Sequence, residues 1–198
     1  METKTYFKQY IDAFLAENSK INLISKNDEK FLWEKHIFDS LSIENFFDKY
    51  ELQNNLSLLD IGTGGGFPSV PVAIKYPQIE VFALDSIRKK INAIENIKNE
   101  LKIKNLHTIC NRAENVHQKF DIITSRAVAS LDKITSLALP LLKKDGYFIA
   151  YKSIKTDDEI KNAENILRKF KAKVVDIIQY DLPLEENHTR NLVIIKFL

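Results

Sequence analysis

Leu56–Ile61 is a short apolar run that stops abruptly in Gly62-Thr63-Gly64-Gly65-Gly66-Phe67-Pro68, and this junction restricts the fold more than any other stretch. An apolar run bounded by turn residues reads as a buried strand. Glycines after it permit backbone angles that other residues avoid, and let a ligand lie against the main chain. Pro68 then reads as the first-turn residue of a helix, where its missing N–H costs nothing. Strand, glycine turn and helix together form the opening unit of an open α/β sheet. Ligands of such sheets bind at the carboxyl ends of the strands, where strand order reverses.

The rest of the chain continues the alternation. Val81–Leu84, Leu106–Cys110, Asp121–Thr124 and Tyr147–Tyr151 read as further strands. Ile87–Leu101, with Ile91, Ile94, Ile97 and Leu101 along one stripe, reads as a helix, as do Leu131–Leu142 and Asp157–Phe170. Val174–Tyr180 and Leu192–Phe197 have no helix between them, so they are expected to pair as a hairpin and leave the final strand antiparallel. Ahead of the sheet, residues 3–19 carry Tyr6, Tyr10, Ile11, Phe14 and Leu15 at helical spacing. A second helical region runs from about Asp28 to Tyr50, broken near His36–Ser40. Residues 1–50 are thus expected to form a helical cap on a domain spanning 51–198, the two making one folding unit.

Three ligand classes compete for the glycine turn. A phosphate-binding Walker loop ends in Gly-Lys-Ser/Thr, and here the ending is Gly66-Phe67-Pro68. A dinucleotide loop begun at Gly62 needs glycine where Phe67 stands, and one begun at Gly64 needs it where Ser69 stands. S-adenosylmethionine carries no phosphate and needs only close backbone approach at its amino-acid end, which Gly62 and Gly64 permit. Asp85 ends the second strand about 20 residues after the loop, where a carboxylate can accept both ribose hydroxyls. After the third strand, a backbone N–H near Ala113 and the Glu114 carboxylate can read the edge of adenine. Seven strands with an antiparallel end fit the Rossmann-like class I S-adenosylmethionine-dependent methyltransferase sheet rather than the six-stranded dinucleotide fold.

Composition narrows the setting. The chain is 44% hydrophobic and 28% charged, an ordinary globular mixture. No apolar run approaches the roughly 20 residues of a membrane helix, and the start lacks a signal-peptide core. A lone Cys110 excludes an internal disulfide and any zinc site built on several cysteines. A cytoplasmic, monomeric protein without metal or membrane partner is expected. A net charge of +2 does not by itself announce a nucleic-acid binder.

Methyl transfer from a sulfonium is an in-line displacement whose main demand is orientation. Pyrimidine C5 methylation requires a cysteine nucleophile, and Cys110 closes an apolar strand as a core residue would. Exocyclic adenine methylation uses Asp/Asn-Pro-Pro-aromatic after the fourth strand, where this chain has Thr124-Ser125-Arg126-Ala127. A ring nitrogen such as guanine N7 offers an accessible lone pair and needs no general base. Arg126, at the end of the fourth strand, can pair with a carboxylate of the cofactor or with an RNA phosphate. Its removal is expected to impair turnover while leaving the melting temperature nearly intact. Lys152, ending the fifth strand, is a candidate phosphate contact, and His36, one turn from Asp39, can line the crevice.

With these residues in view, the chain resembles the RsmG (GidB) family of bacterial small-subunit ribosomal RNA guanine-N7 methyltransferases. The resemblance runs from Asn22 to Lys196 and rests on several segments. These are Asn22-Leu23-Ile24-Ser25, His36-Ile37-Phe38-Asp39-Ser40, Leu59 to Pro68, Leu84-Asp85-Ser86 and Arg112-Ala113-Glu114. Ser125-Arg126-Ala127, Tyr151-Lys152 and Arg190 to Lys196 complete it. It implies methylation of a guanosine in the decoding-site hairpin loop of 16S ribosomal RNA, with cofactor contacts at Gly62, Phe67, Ala113, Glu114 and Arg126. Arg190 joins Lys152 and His36 as a candidate substrate contact, and the implied partner is 16S RNA or the small subunit. Lys35, Ser69 and Ser153 depart from the family pattern, which more often has arginine, glycine and glycine there. Rival readings are a small-molecule methyltransferase of the same fold and a ribosome-binding protein without catalysis.

Overall fold

The computed structural model describes residues 7–51, 55–154, 156–186 and 188–198. The helical cap comprises α1 (Lys8–Ile21), α2 (Lys26–Glu29), a π-helical segment (Leu32–Phe38), α3 (Asp39–Leu41) and α4 (Glu44–Lys49). Residues 3–6, expected to open the first helix, lie outside the described residues. Asn22 ends α1 in the left-handed conformation, its N–H donating to the Asn18 carbonyl. Ser25 caps α2 by accepting from the Asp28 N–H. The break expected near His36–Ser40 is a change of helical type, from π at Leu32–Phe38 to α at Asp39.

The sheet contains β1 (Ser57–Ile61), β2 (Glu80–Asp85), β3 (Leu106–Cys110), β4 (Phe120–Arg126), β5 (Leu142–Ser153), β6 (Ala172–Leu182) and β7 (His188–Phe197). Between strands lie α5 (Ser69–Lys75), α6 (Arg88–Leu101), α7 (Leu131–Ala138) and α8 (Asp157–Lys169). Strand order is β3-β2-β1-β4-β5-β7-β6. The pairs from β3 to β5 are parallel, and β7 runs antiparallel to both β5 and β6, as the missing helix between the last two strands requires. Order reverses beside β1, so the carboxyl ends of β1 and β4 flank the crevice.

Alternate residues of the central strands face two separate apolar layers. Leu58, Ile122 and Ile149 point toward α5, α6 and the cap, while Leu59, Ile123 and Phe148 point toward α7 and α8. Phe7, Tyr10, Phe14, Ile37 and Phe46 of the cap belong to the same apolar cluster as Leu58 and Val70. The cap is therefore part of the sheet's own core.

Three boundaries differ from expectation. Pro68 precedes α5 as its N-cap residue instead of occupying the first turn, and the Phe67–Pro68 peptide is cis. α7 stops at Ala138 and gives way to a 3-10 turn over Leu139–Leu141, because Pro140 lacks the N–H that would continue the helix. β5 begins at Leu142, five residues earlier than expected, since the β4–β5 register shifts between Phe120 and Ile122 and leaves the extra residues bulged on β5. Gly146 permits that approach, because a Cβ there would stand 2.5 Å from the Asp121 carbonyl oxygen.

Candidate active site

The turn after β1 folds onto the end of β2. Gly62 and Thr63 both donate to the Leu84 carbonyl, at 2.8 and 2.9 Å. Gly64 donates to Asp85 Oδ2 at 3.0 Å, and Ile87 donates to Asp85 Oδ1 at 2.9 Å. Gly62, Gly64 and Gly66 have φ of +72°, +59° and +90°, which side-chain-bearing residues rarely adopt. One carboxylate thus fixes the glycine turn and the entry to α6. Its oxygens retain acceptor capacity, since each has two lone pairs.

Behind the turn lies Asp60, fully buried on β1. Its Oδ1 accepts from Thr124 Oγ1 at 3.1 Å and its Oδ2 from the Ser69 N–H at 3.4 Å. Burial pushes its carboxyl up to about 6, against the hydrogen bonds from Thr63 and Thr124 and the charge of Arg126. Ser69, one of the family departures, has its hydroxyl buried against that of Thr63.

A cavity of about 500 Å³ opens at the carboxyl edge, a size that suits a cofactor. Ile61 and Gly62 from β1, Leu84 to Ser86 from β2, and Asn111 to Glu114 after β3 form most of its wall. Ala127 and Val128 after β4 close it, with Lys90 and Leu137 at the margins. Of the residues expected from sequence, Gly62, Asp85, Ala113 and Glu114 come together here. Hollows of similar size occur elsewhere. One, lined by Ile74, Leu101 and Lys102 to Asn105, sits at the opposite edge, where strands begin rather than end.

The other expected residues are placed differently. Phe67 is buried and turns toward the cap, its ring 5.1 Å from Phe14 and 5.0 Å from His36, centroid to centroid. Arg126 follows it. The guanidinium lies 5.2 Å from the Phe67 ring, and its Nη1 donates to Asp39 Oδ2 at 2.8 Å and to the Lys35 carbonyl at 3.1 Å. Its Nη2 stands 3.1 Å from His36 Nδ1, and Tyr180 donates to Asp39 Oδ1 at 2.7 Å. Arg126, expected to face the crevice, is therefore spent on the junction between cap and sheet.

His36 lies in that junction instead of the cavity wall. Burial, reinforced by Arg126, lowers its imidazole to about 4, so it is neutral at pH 7. An Nδ1 that accepts from Arg126 leaves the proton on Nε2, which is buried without a hydrogen-bond partner. Lys152 is also turned inward: its Nζ donates to Glu159 Oε2 at 2.6 Å and to the Ala129 carbonyl at 2.9 Å. Arg190 stands opposite Ser153 in the β5–β7 register, at the same sheet edge as the cavity but outside its wall.

Val128 and Asn111 are wall residues that the sequence reading passed over. The available signal was position alone, each following the carboxyl end of a parallel strand. Among the described residues, no group of three or more His, Cys, Asp or Glu is arranged to hold a metal, and no helix is long and apolar enough to cross a membrane.

Comparison with known proteins gives the family and the fold class. Residues 3–192 match the family described as GidB, rRNA small subunit methyltransferase G. The chain is 37% identical over 196 residues to ribosomal RNA small subunit methyltransferase G of Lachnoclostridium phytofermentans, covering 96% of this chain and 79% of that protein. It is 36% identical over 200 residues to the protein of that name from Streptococcus agalactiae, covering 97% and 82%. Among solved structures, M. jannaschii TYW2 in complex with AdoMet superposes with a TM-score of 0.61 at 16% identity, over 81% of this chain and 77% of that one. Precorrin-6y C5,15-methyltransferase from Geobacter metallireducens superposes with a TM-score of 0.58 at 17% identity, over 88% and 90%. The structural likeness establishes the class I methyltransferase fold, and the sequence matches establish more: the chain belongs to the rRNA small subunit methyltransferase G family.

Proposed function

We propose that this chain transfers a methyl group from S-adenosylmethionine to N7 of a guanosine in the decoding-site hairpin loop of 16S ribosomal RNA. The observation that carries the reading is the carboxyl-edge cavity bounded by Gly62 and Asp85 in a chain of this family. The residues fit the cofactor. Gly62 keeps its wall free of a side chain, and the Asp85 carboxylate is held at the end of β2 with acceptor capacity for ribose hydroxyls. Ala113 and the exposed Glu114 stand after β3, where an adenine edge would be read.

When bound, the cofactor supplies an electrophilic sulfonium methyl. The chain's own task is to hold that donor and the base in line and to exclude water. Gly64 contributes through its bond to Asp85, while Phe67 and Arg126 brace the back of the turn against the cap. Guanine N7 has a free lone pair, so no side chain is required to remove a proton before attack. His36, neutral and enclosed, serves the docking of the cap in this reading. Arg190, at the same sheet edge, remains the candidate RNA contact.

The test incubates the protein and labelled cofactor with small subunits, and with deproteinised RNA, from cells lacking the enzyme. Label at guanine N7 is expected. Its absence with every form of the substrate would overturn the reading. The same proposal has the chain acting in the cytoplasm as a monomer, and sedimentation of the free protein checks the second point.

A further inference from the structure

Val128 forms part of the cavity wall and stands directly over Gly62, where a Cβ would lie 2.5 Å from Val128 Cγ2. It belongs to the turn over residues 127–130, between β4 and α7. The local hydrogen bonds of that turn gather at its last residue, Ser130, and leave residues 127–129 to be held from elsewhere. The turn's side chains are small, and Ala127 takes a φ of +55°. Ser130 donates its hydroxyl to the Asp132 side chain, and its carbonyl accepts the Ile134 N–H at 3.0 Å, leaving the Leu131 N–H without a side-chain cap from Ser130. Val128 is 42% exposed, so apolar packing does not fix it either.

The anchor comes from two distant elements. Glu159, in the first turn of α8, accepts the Leu131 N–H at 2.9 Å through Oε2. The same oxygen accepts from Lys152 Nζ at 2.6 Å, and Lys152 Nζ donates in turn to the Ala129 carbonyl at 2.9 Å. The carboxylate therefore supplies in trans the N-terminal cap that Ser130 does not, at the helix end where negative charge is favoured. The ammonium holds the carbonyl two residues before Leu131. Their side chains are 11% and 30% exposed, so the bonds are charge-assisted and only partly screened by water.

We infer that Lys152 and Glu159 are positioning residues for the cofactor wall: together they fix the 127–130 turn so that Val128 stays over Gly62. In this role Lys152 acts through the Ala129 carbonyl and Glu159, not through an RNA phosphate. The inference rests on the cofactor reading of the cavity, and the two can fail separately.

Calorimetric titration with S-adenosylhomocysteine, the product form of the cofactor, tests both. No binding to the wild-type protein would sink the cofactor reading itself. If it binds, Lys152→Met and Glu159→Gln are each expected to weaken it about tenfold, as loss of charge-assisted hydrogen bonds that order the wall should. In turnover on small subunits, both variants raise KM for the cofactor and leave KM for the subunit unchanged. The double variant is no worse than either single one, because the two side chains act as one unit. Hydrogen exchange at the Leu131 amide accelerates in Glu159→Gln relative to core amides of the same sample, which separates local release from general unfolding. Unchanged affinity in both variants, or an unchanged Leu131 exchange rate, overturns the inference. So does a rise in subunit KM and a smaller salt slope for Lys152→Met alone, which would mark a phosphate contact.

Discussion

Arg126 Nη1 lies 2.8 Å from Asp39 Oδ2 in a pair whose side chains are only 16% and 7% exposed, and Tyr180 donates to the other oxygen of the same carboxylate. Removing either charge leaves its partner enclosed and uncompensated. Asp39→Ala and Arg126→Ala are each expected to lower unfolding free energy by about 3–5 kcal/mol, measured by urea titration. The expectation that losing Arg126 spares the melting temperature is thus replaced by its opposite. A loss below about 1 kcal/mol, the range of exposed pairs, would mean the junction is open to solvent.

Gly62 provides a separate test of the cavity wall. Ala at this position has to adopt a φ of +72° and push aside Val128, whose Cγ2 would lie 2.5 Å from the new Cβ. Gly62→Ala should lower stability by about 1–2 kcal/mol from backbone conformation and displacement together. It should also reduce S-adenosylhomocysteine affinity. Pairing it with Val128→Ala removes the nearest atoms but not the strained φ, so partial recovery of stability is expected by thermal melting.

Fully buried Asp60 and half-buried His36 make opposite contributions to pH dependence. Asp60 is raised to about 6, so its contribution to stability is full below 3.8 and is lost as pH rises through about 6. His36 is lowered to about 4, so its contribution is full above 6.5 and is lost as pH falls toward 4. The two act in opposite directions between about pH 4 and 6, so each masks part of the other's pH dependence in the wild-type protein. Asp60→Asn should therefore leave a protein whose stability rises with pH across that window. His36→Gln should leave one whose stability falls. Urea titrations at the two ends check both slopes, and parallel profiles for the two variants would contradict the assignment.

Asp85 joins the glycine turn to the start of α6 through its two oxygens. Asp85→Ala should weaken S-adenosylhomocysteine binding by roughly 1–3 kcal/mol, since charge-assisted hydrogen bonds are lost on both the ligand and the turn. Titration calorimetry measures it. Unchanged affinity would remove the ribose role and leave Asp85 a turn clamp only.

Much of the fold was readable because its signals are local. Leu56 to Pro68 announces strand, turn and helix in a dozen residues, and the missing helix after Val174–Tyr180 announces an antiparallel β7. Asp85, Ala113 and Glu114 were readable for the same reason, since the end of a parallel strand fixes its neighbour's place. Arg126 and Lys152 were not. Both were correctly located at strand ends, but the direction of a long side chain depends on which counter-charge folds beside it. Asp39 is 87 residues from Arg126, and periodicity carries no information about such partners. Nor could it give the bond from Tyr180 to Asp39, 141 residues apart.

That last bond has a consequence for synthesis. The cap is made first, yet Asp39 acquires Arg126 only after β4 and Tyr180 only after β6 has been made. Domains generally fold as units during translation. Here the helices of the cap must wait as an unfinished surface, with a carboxylate that is not fully paired until β6 has emerged. A truncated product ending before β6 would keep Arg126 against Asp39 but lack the Tyr180 hydroxyl, so its cap should close less firmly on the sheet.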